Sequence, residues 1–83
     1  MPREDVEPRA YCREHIPRLL DENPGGMNSR AILDALRAQL ADWGLDPYAV
    51  EFVHVNDTCA AWFDQGHLKL TGRGWWALAG QGD

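Results

Sequence analysis

The residues best suited to bind a charged partner lie near the carboxyl end of this sequence. Lys69 and Arg73 occur there, and His67 precedes them. No Asp or Glu lies between residues 65 and 82, although the whole chain carries a formal net charge of −5. Cations on an acid-free segment suit an anionic ligand such as phosphate, whereas the overall charge argues against a general phosphate-binding protein. Lys69 and Arg73 would equally suit an exposed sheet edge, where cations prevent strands from pairing with other chains.

Tryptophan is the second residue type that could form contacts with a ligand. The four indoles are Trp43, Trp62, Trp75 and Trp76. Indoles stack on nucleic-acid bases when a basic groove lies beside them, but they also fill the core of a small domain. We assign Trp43 and Trp62 to the core. Because Trp75 and Trp76 are adjacent, a regular helix or strand cannot point both the same way, and at least one is predicted to contact a partner or a second copy of the chain.

Cysteine and histidine offer zinc-ligand atoms, but their spacing is loose. Cys12 and His15 are close in sequence, whereas His54, Cys59 and His67 are scattered, without a tight cysteine or histidine pair. Buried thiols and surface imidazoles explain this pattern better than a metal site. No nucleophile–base motif, phosphate-binding loop or pair of catalytic carboxylates is present. The sequence therefore predicts a protein that is not an enzyme and has no cofactor.

Length and composition predict one small folded domain. The chain has 83 residues, of which 45% are hydrophobic and 25% charged. No apolar run reaches the roughly 20 residues that a membrane span needs, and no signal peptide is recognisable. We therefore expect a cytoplasmic protein that does not enter the membrane. Whether Cys12 and Cys59 form a disulfide is left open. The domain is predicted to span residues 8–79, with frayed ends at 1–7 and 80–83.

The amino-terminal half must form helices that position these residues. One helix is predicted to begin at Pro8, with a kink or a restart near Pro17. The clearest helix follows from Ser29, with Asn28 or Ser29 as its cap and Gly44 as its end. Its apolar side is predicted to face the core and consists of Ile32, Leu33, Leu36, Leu40 and Trp43.

The carboxyl-terminal half is less regular. Residues 47–66 fit either two strands or two helices, the second helix being capped by Asp57 or Thr58. We favour helix over residues 59–65 and leave 48–55 open. Residues 67–71 alternate as a strand, and residues 75–79 form a last helical turn or a short strand. The predicted class is therefore α+β, with amino-terminal helices and a small carboxyl-terminal antiparallel sheet.

Three segments come in the order found in winged-helix domains. They are HIPRLLD at residues 15–21, SRAILDAL at 29–36 and GHLKLTGRG at 66–74. The proline before a Leu-Leu pair, followed by the second segment, resembles the N-terminal winged-helix domain of Mrr-type restriction proteins, over roughly residues 8–79. The resemblance implies that residues 70–74 lead from the last strand into a terminal helix. It also implies a wing of two strands, although only one strand is clear here, so residues 48–55 or 59–63 must supply its partner or the wing is missing.

In a winged helix one helix enters the major groove and the wing touches the DNA backbone. The resemblance implies a reading helix within residues 47–65, with Lys69 and Arg73 on phosphates. His54 and Asn56 are the side chains there that could read bases. The same segment carries Glu51, Asp57 and Asp64, which are acidic where a reading helix normally offers cations or amides.

Two functions follow as hypotheses. The first is a non-enzymatic DNA-associated regulator or accessory module that binds duplex DNA through the acid-free segment with Lys69 and Arg73. The second is an acidic protein-binding module or inhibitor, for example encoded by a phage or mobile element, that uses Trp75 or Trp76. The folded surface distinguishes them, since DNA binding needs a continuous basic face and protein binding predicts an acidic or apolar one.

Overall fold

The computed structural model describes residues 6–79, which form three helices and a small antiparallel sheet. The helices are α1 (Pro8–Glu22), α2 (Ser29–Asp42) and α3 (Phe52–Asp64), with a 3₁₀ turn at Pro47–Ala49, and the strands are β1 (Leu68–Leu70) and β2 (Trp76–Leu78). Helices followed by an antiparallel pair confirm the predicted α+β class. Of the ends predicted to fray, residues 1–5 and 80–83 lie outside the described residues. Glu7 is ordered as the cap of α1.

Helix α1 begins as predicted but is not divided. The Glu7 carboxylate accepts a hydrogen bond of 2.8 Å from the Arg9 backbone N–H, and Pro8 takes the first turn. The helix runs through Pro17, so the alternative of two separate pieces is wrong. An internal proline costs about 3 kcal/mol in lost hydrogen bonding and steric conflict. Ile16 and Leu20 are completely buried on either side of it, and their packing holds the helix together.

Helix α2 begins at the predicted residue and ends at Asp42, one residue before the last member of the predicted stripe. Except for Trp43, it has the predicted buried side. Asn28 Oδ1 accepts from the Ala31 backbone N–H at 2.7 Å, and Gly44 follows the helix with a φ of 77°. The aliphatic residues of the stripe, Ile32, Leu33, Leu36 and Leu40, are all buried. The prediction that Trp43 belongs to the core is wrong, because 53% of it is exposed. Trp43 is the residue at which the chain leaves the helix, so its indole departs from the buried stripe.

Helix α3 occupies most of residues 47–66, the region that the sequence left ambiguous between strands and helices. It begins at Phe52 and not at Asp57 or Thr58, because Glu51 and His54 form a reciprocal capping box there. Its inner side buries Val55, Thr58 and Cys59 against the core. Trp62 is half-buried and packs against the same core, in keeping with its predicted place.

The sheet is a hairpin in which β2 is the partner of β1. The paired residues are Leu68 with Leu78, Lys69 with Ala77, and Leu70 with Trp76. Neither residues 48–55 nor 59–63 supply the second strand. Residues 71–75 form the connecting turn, so the implied step from a strand into a terminal helix is also wrong. Gly74 takes a φ of 77° there, a conformation that lets the chain reverse.

A short bridge attaches this hairpin to the start of α2. Met27 and Trp76 exchange two backbone hydrogen bonds, of 2.9 and 2.8 Å.

Cys12 and Cys59 are both buried in the core and are free thiols, which answers the open question of a disulfide. No helix within residues 6–79 has the length and apolar character needed to cross a bilayer.

Gly26→Ala is expected to lower the free energy of unfolding by about 2 kcal/mol. Gly26 has a φ of 99°, and an added Cβ would lie 3.0 Å from the Trp76 carbonyl oxygen and 3.1 Å from Thr71 Cγ2. The neighbouring Gly25→Ala is the matched control, since nothing lies within 4 Å of its added Cβ. Urea titration followed by circular dichroism measures both, and equal losses in the two variants would contradict the close approach of Gly26 to the hairpin.

Candidate interaction surface

The outer side of α3 and one face of the hairpin together form an apolar surface. We call it the α3–hairpin surface, and its members are Val53, Asn56, Ala60, Phe63, Leu70 and Trp76. The four residues from α3 are three or four positions apart, so they share one side of the helix. Val53, Phe63 and Leu70 are 52%, 43% and 47% exposed, respectively. Large apolar side chains of both elements are therefore open to contact.

Trp76 joins the two elements into one surface. Its ring lies 5.9 Å from that of Phe63, centroid to centroid, at an angle of 66°. Leu70 is directly opposite Trp76 in the hairpin, so both side chains are on the same face of the sheet. Trp76 is half-buried between them, and the apolar area is continuous from α3 to β1.

A chain of polar contacts fixes this arrangement. Trp76 Nε1–H donates to Ser29 Oγ at 2.9 Å, and Ser29 Oγ lies 2.7 Å from Asn56 Oδ1. An amide oxygen can only accept, so the Ser29 hydroxyl donates its proton to Asn56. This series of hydrogen bonds connects β2, the start of α2 and α3, and thereby holds the surface in one shape.

Asn56 and His54, the predicted base-reading residues, both have roles within the fold. Asn56 uses its oxygen in the contact with Ser29, while its Nδ2 makes no hydrogen bond to another part of residues 6–79. His54 Nδ1 accepts from the Glu51 backbone N–H at 2.9 Å. His54 thus caps α3 from its first turn, whereas Asn56 lies on the outer side of the helix and can still donate to a partner.

The predicted cationic residues do not converge on α3. Lys69 is exposed and alternates with Leu68 and Leu70, so it lies on the opposite face of the hairpin from the apolar surface. His67 is at the base of the hairpin, where its carbonyl oxygen accepts from the Ala79 N–H at 2.9 Å. Arg73 is in the connecting turn, at the other end of β1. The structure therefore separates the five predicted nucleic-acid contacts into several places.

The turn is organised around Thr71 and Trp75. Thr71 Oγ1 accepts from the backbone N–H groups of Arg73 and Trp75, each at 3.2 Å. The Arg73 guanidinium lies 5.2 Å from the centre of the Trp75 ring, which is a cation–π contact. Trp75 and Trp76 are both half-buried, so each predicted partner-binding indole is only partly open to solvent.

The charges around α3 are acidic. The helix contains no Lys or Arg, and its two charged residues are Asp57 and Asp64. Asp57 is paired with Arg9 of α1 at 2.8 Å, which leaves Asp64 at the carboxyl end and Glu51 just before the amino end. No continuous basic face runs along α3. The surface therefore has an apolar centre and acidic ends, which is the kind of face that the protein-binding hypothesis predicts.

Comparison with known proteins found no matching family model, no matching curated protein and no matching solved structure. The resemblance to winged-helix domains stays a prediction that rests on the residues quoted for it.

Proposed function

We propose that this chain is a protein-binding domain that contacts its partner through the α3–hairpin surface. The observation that carries the proposal is the continuous apolar area of Phe63, Leu70 and Trp76, with Val53 exposed on the same side of α3. A folded chain of this size exposes single apolar side chains as a matter of course, but a contiguous aromatic and aliphatic patch favours association. The partner would cover Phe63 and Leu70 and remove them from water.

The charges indicate which kind of partner suits this surface. Its centre is uncharged, and Glu51 and Asp64 are the acidic groups at the two ends of α3. A partner that presents an apolar stripe with Lys or Arg at its edges would complement both features. A net charge of −5 on this chain would favour the approach of such a basic partner.

The winged-helix resemblance is part of the same proposal. In that architecture α3 would be the helix that reads DNA, and the hairpin would be the wing. A reading helix recognises bases with cations and amides, but among the outward residues of α3 only Asn56 offers such a group. An apolar surface at this position supports a winged-helix-like domain used for protein contact.

Duplex DNA is the second candidate, and the hairpin is the observation in its favour. Lys69 and Arg73 are both exposed there, where a wing would touch phosphates. Two such contacts would give weak binding that falls with salt, with a slope of about −1.8 in the logarithm of the binding constant against the logarithm of the salt concentration. No residue of α3 would add strongly to this binding except Asn56.

Site-specific photocrosslinking tests the proposal. A photoreactive residue at Ala60, in the centre of the surface, is expected to capture a protein from the native host, whereas one at the exposed Ala38 on α2 is not. Phe63→Glu should lower the affinity for the captured protein by at least about 30-fold, the loss expected for a residue at the centre of an interface. Circular dichroism confirms that the variant is folded. Equal capture from Ala60 and Ala38, or capture that Phe63→Glu leaves unchanged, would contradict the proposal.

Fluorescence anisotropy with a labelled DNA duplex at low and at higher salt distinguishes the second candidate. If DNA is the ligand, binding falls with salt, and Lys69→Gln and Arg73→Gln each reduce that dependence. If a protein is the ligand, the chain shows no salt-dependent affinity for the duplex. The two hypotheses thus predict opposite outcomes of the same salt titration.

A further inference from the structure

A cleft lies between α1 and the segment that follows α2. It has a volume of about 340 Å³, and its walls include three aromatic rings, from Tyr11, His15 and Trp43, and two carboxylates, from Glu7 and Glu14. Among residues 6–79, none of those that line it is Lys or Arg. Trp43 and Ser29 are at opposite ends of α2, roughly 20 Å apart along the helix. The cleft is thus separate from the α3–hairpin surface.

The Trp43 ring packs at steep angles to the other two rings. The Trp43 ring lies 6.2 Å from the Tyr11 ring at 84°, and 5.6 Å from the His15 ring at 67°. Tyr11 and His15 are buried, whereas Trp43 is 53% exposed. Two rings therefore hold the indole from the protein side, and a large part of it is left open to solvent.

His15 adds no positive charge to the cleft at neutral pH. The Arg18 guanidinium donates to His15 Nδ1 at 3.1 Å, so the ring carries its proton on Nε2, which lies 3.7 Å from a Glu14 oxygen. Burial lowers the pKa of His15, and the charge of Arg18 adds to this effect, although Glu14 opposes it. The cleft consequently combines an uncharged aromatic wall with the negative charges of Glu7 and Glu14.

We propose that this cleft binds the guanidinium group of an arginine side chain on a partner protein, stacked on Trp43 and paired with Glu14. Aromatic faces attract cations, and a planar guanidinium can stack on an indole while it donates hydrogen bonds to a carboxylate. Contacts of a guanidinium with an aromatic ring occur elsewhere in the fold, since Arg37 lies 4.9 Å from the ring centre of Tyr48 and Arg73 lies 5.2 Å from that of Trp75. Trp43 offers an indole as Trp75 does, and the two carboxylates of the cleft complement an external cation.

Nuclear magnetic resonance of the full chain tests this site with a defined probe. The acetylated, amidated tripeptide Gly-Arg-Gly is expected to shift the indole Nε1–H resonance of Trp43 in a saturable way. Trp75 and Trp76 should not respond. The same peptide with citrulline, which replaces the guanidinium by a neutral urea of equal shape, is the matched control and should shift Trp43 far less. Trp43→Phe assigns the resonance.

Glu14→Gln tests the proposed pairing of the guanidinium with Glu14. The substitution should leave the fold intact, because this side chain is 77% exposed. The variant is expected to bind the arginine peptide about fivefold more weakly, the effect of losing one exposed charge pair. The proposal is overturned if the citrulline peptide shifts Trp43 as strongly, if Glu14→Gln binds as well as the original chain, or if Trp43 does not respond. Because no residue of the α3–hairpin surface takes part, these outcomes are independent of the photocrosslinking result.

Discussion

Leu36→Ala is expected to lower the free energy of unfolding by about 3 kcal/mol. Leu36 is in the middle of α2, is 1% exposed and belongs to the single core. Removing its branched end loses transfer free energy and leaves a cavity that the surrounding helices fill only in part. A domain of this length has a total stability of only about 4–12 kcal/mol, so this one substitution removes a large share.

Leu70→Ala is the matched control for this prediction. It deletes the same atoms from a residue that is 47% exposed, and it should cost less than about 1 kcal/mol. Urea denaturation followed by tryptophan fluorescence measures both free energies. Similar losses at residues 36 and 70 would show that α2 is not the element on which the core is built. The Leu70 variant also separates binding from stability, since that side chain belongs to the α3–hairpin surface.

Raising the pH from 7 to 10 is expected to destabilise the domain by about 3 kcal/mol through its two thiols. Burial raises the pKa of Cys12 to about 11 and that of Cys59 to about 12. A thiol that is not buried has a pKa of 9.0, so the unfolded chain loses its thiol protons first as the pH rises. Stability is therefore complete below that pH and falls as the pH approaches the folded values, by about 1.4 kcal/mol for each thiol at pH 10.

The double variant with Cys12→Ala and Cys59→Ala isolates this effect. It should be less stable than the original chain at neutral pH because of the lost packing, but its stability should fall much less between pH 7 and 10. Urea titrations of both proteins at the two pH values give the four free energies needed. An equal fall in both proteins would mean that the thiols do not titrate on unfolding and would refute the prediction. Limiting the range to pH 10 keeps Tyr11, whose pKa burial also raises, a minor contributor.

The first two helices could be predicted because their signals are local. The side chains of Glu7, just before Pro8, and of Asn28, just before the stripe of α2, accept hydrogen bonds from backbone N–H groups within one turn of their own position. The spacing of the aliphatic residues in α2 then selects one side for the core, whichever element covers it. The prediction for Trp43 was wrong because the spacing of apolar residues does not show that the helix ends at Asp42.

Helix α3 and the hairpin could be predicted only in part. Val53 and Val55 favour a strand by type, but the capping box and the burial of Val55 and Cys59 against other helices make this region helical. The alternation of residues 67–71 predicted β1 correctly, whereas its partner could not be chosen among several short runs. That choice depends on the turn around Gly74 and on the bridge from Met27, which lies far away in sequence.

A small α+β domain, the position of α2, the burial of both thiols and the lack of Lys and Arg in α3 all follow from the order of residues. The proximity of Phe63, Leu70 and Trp76, and the place of Lys69 on the other face of the hairpin, follow from the fold. Helix periodicity and caps are interactions between residues a few positions apart, and a reader of the sequence can count them. A binding surface forms from residues distant along the chain, and their proximity follows from strand register and from which side chains the core leaves exposed.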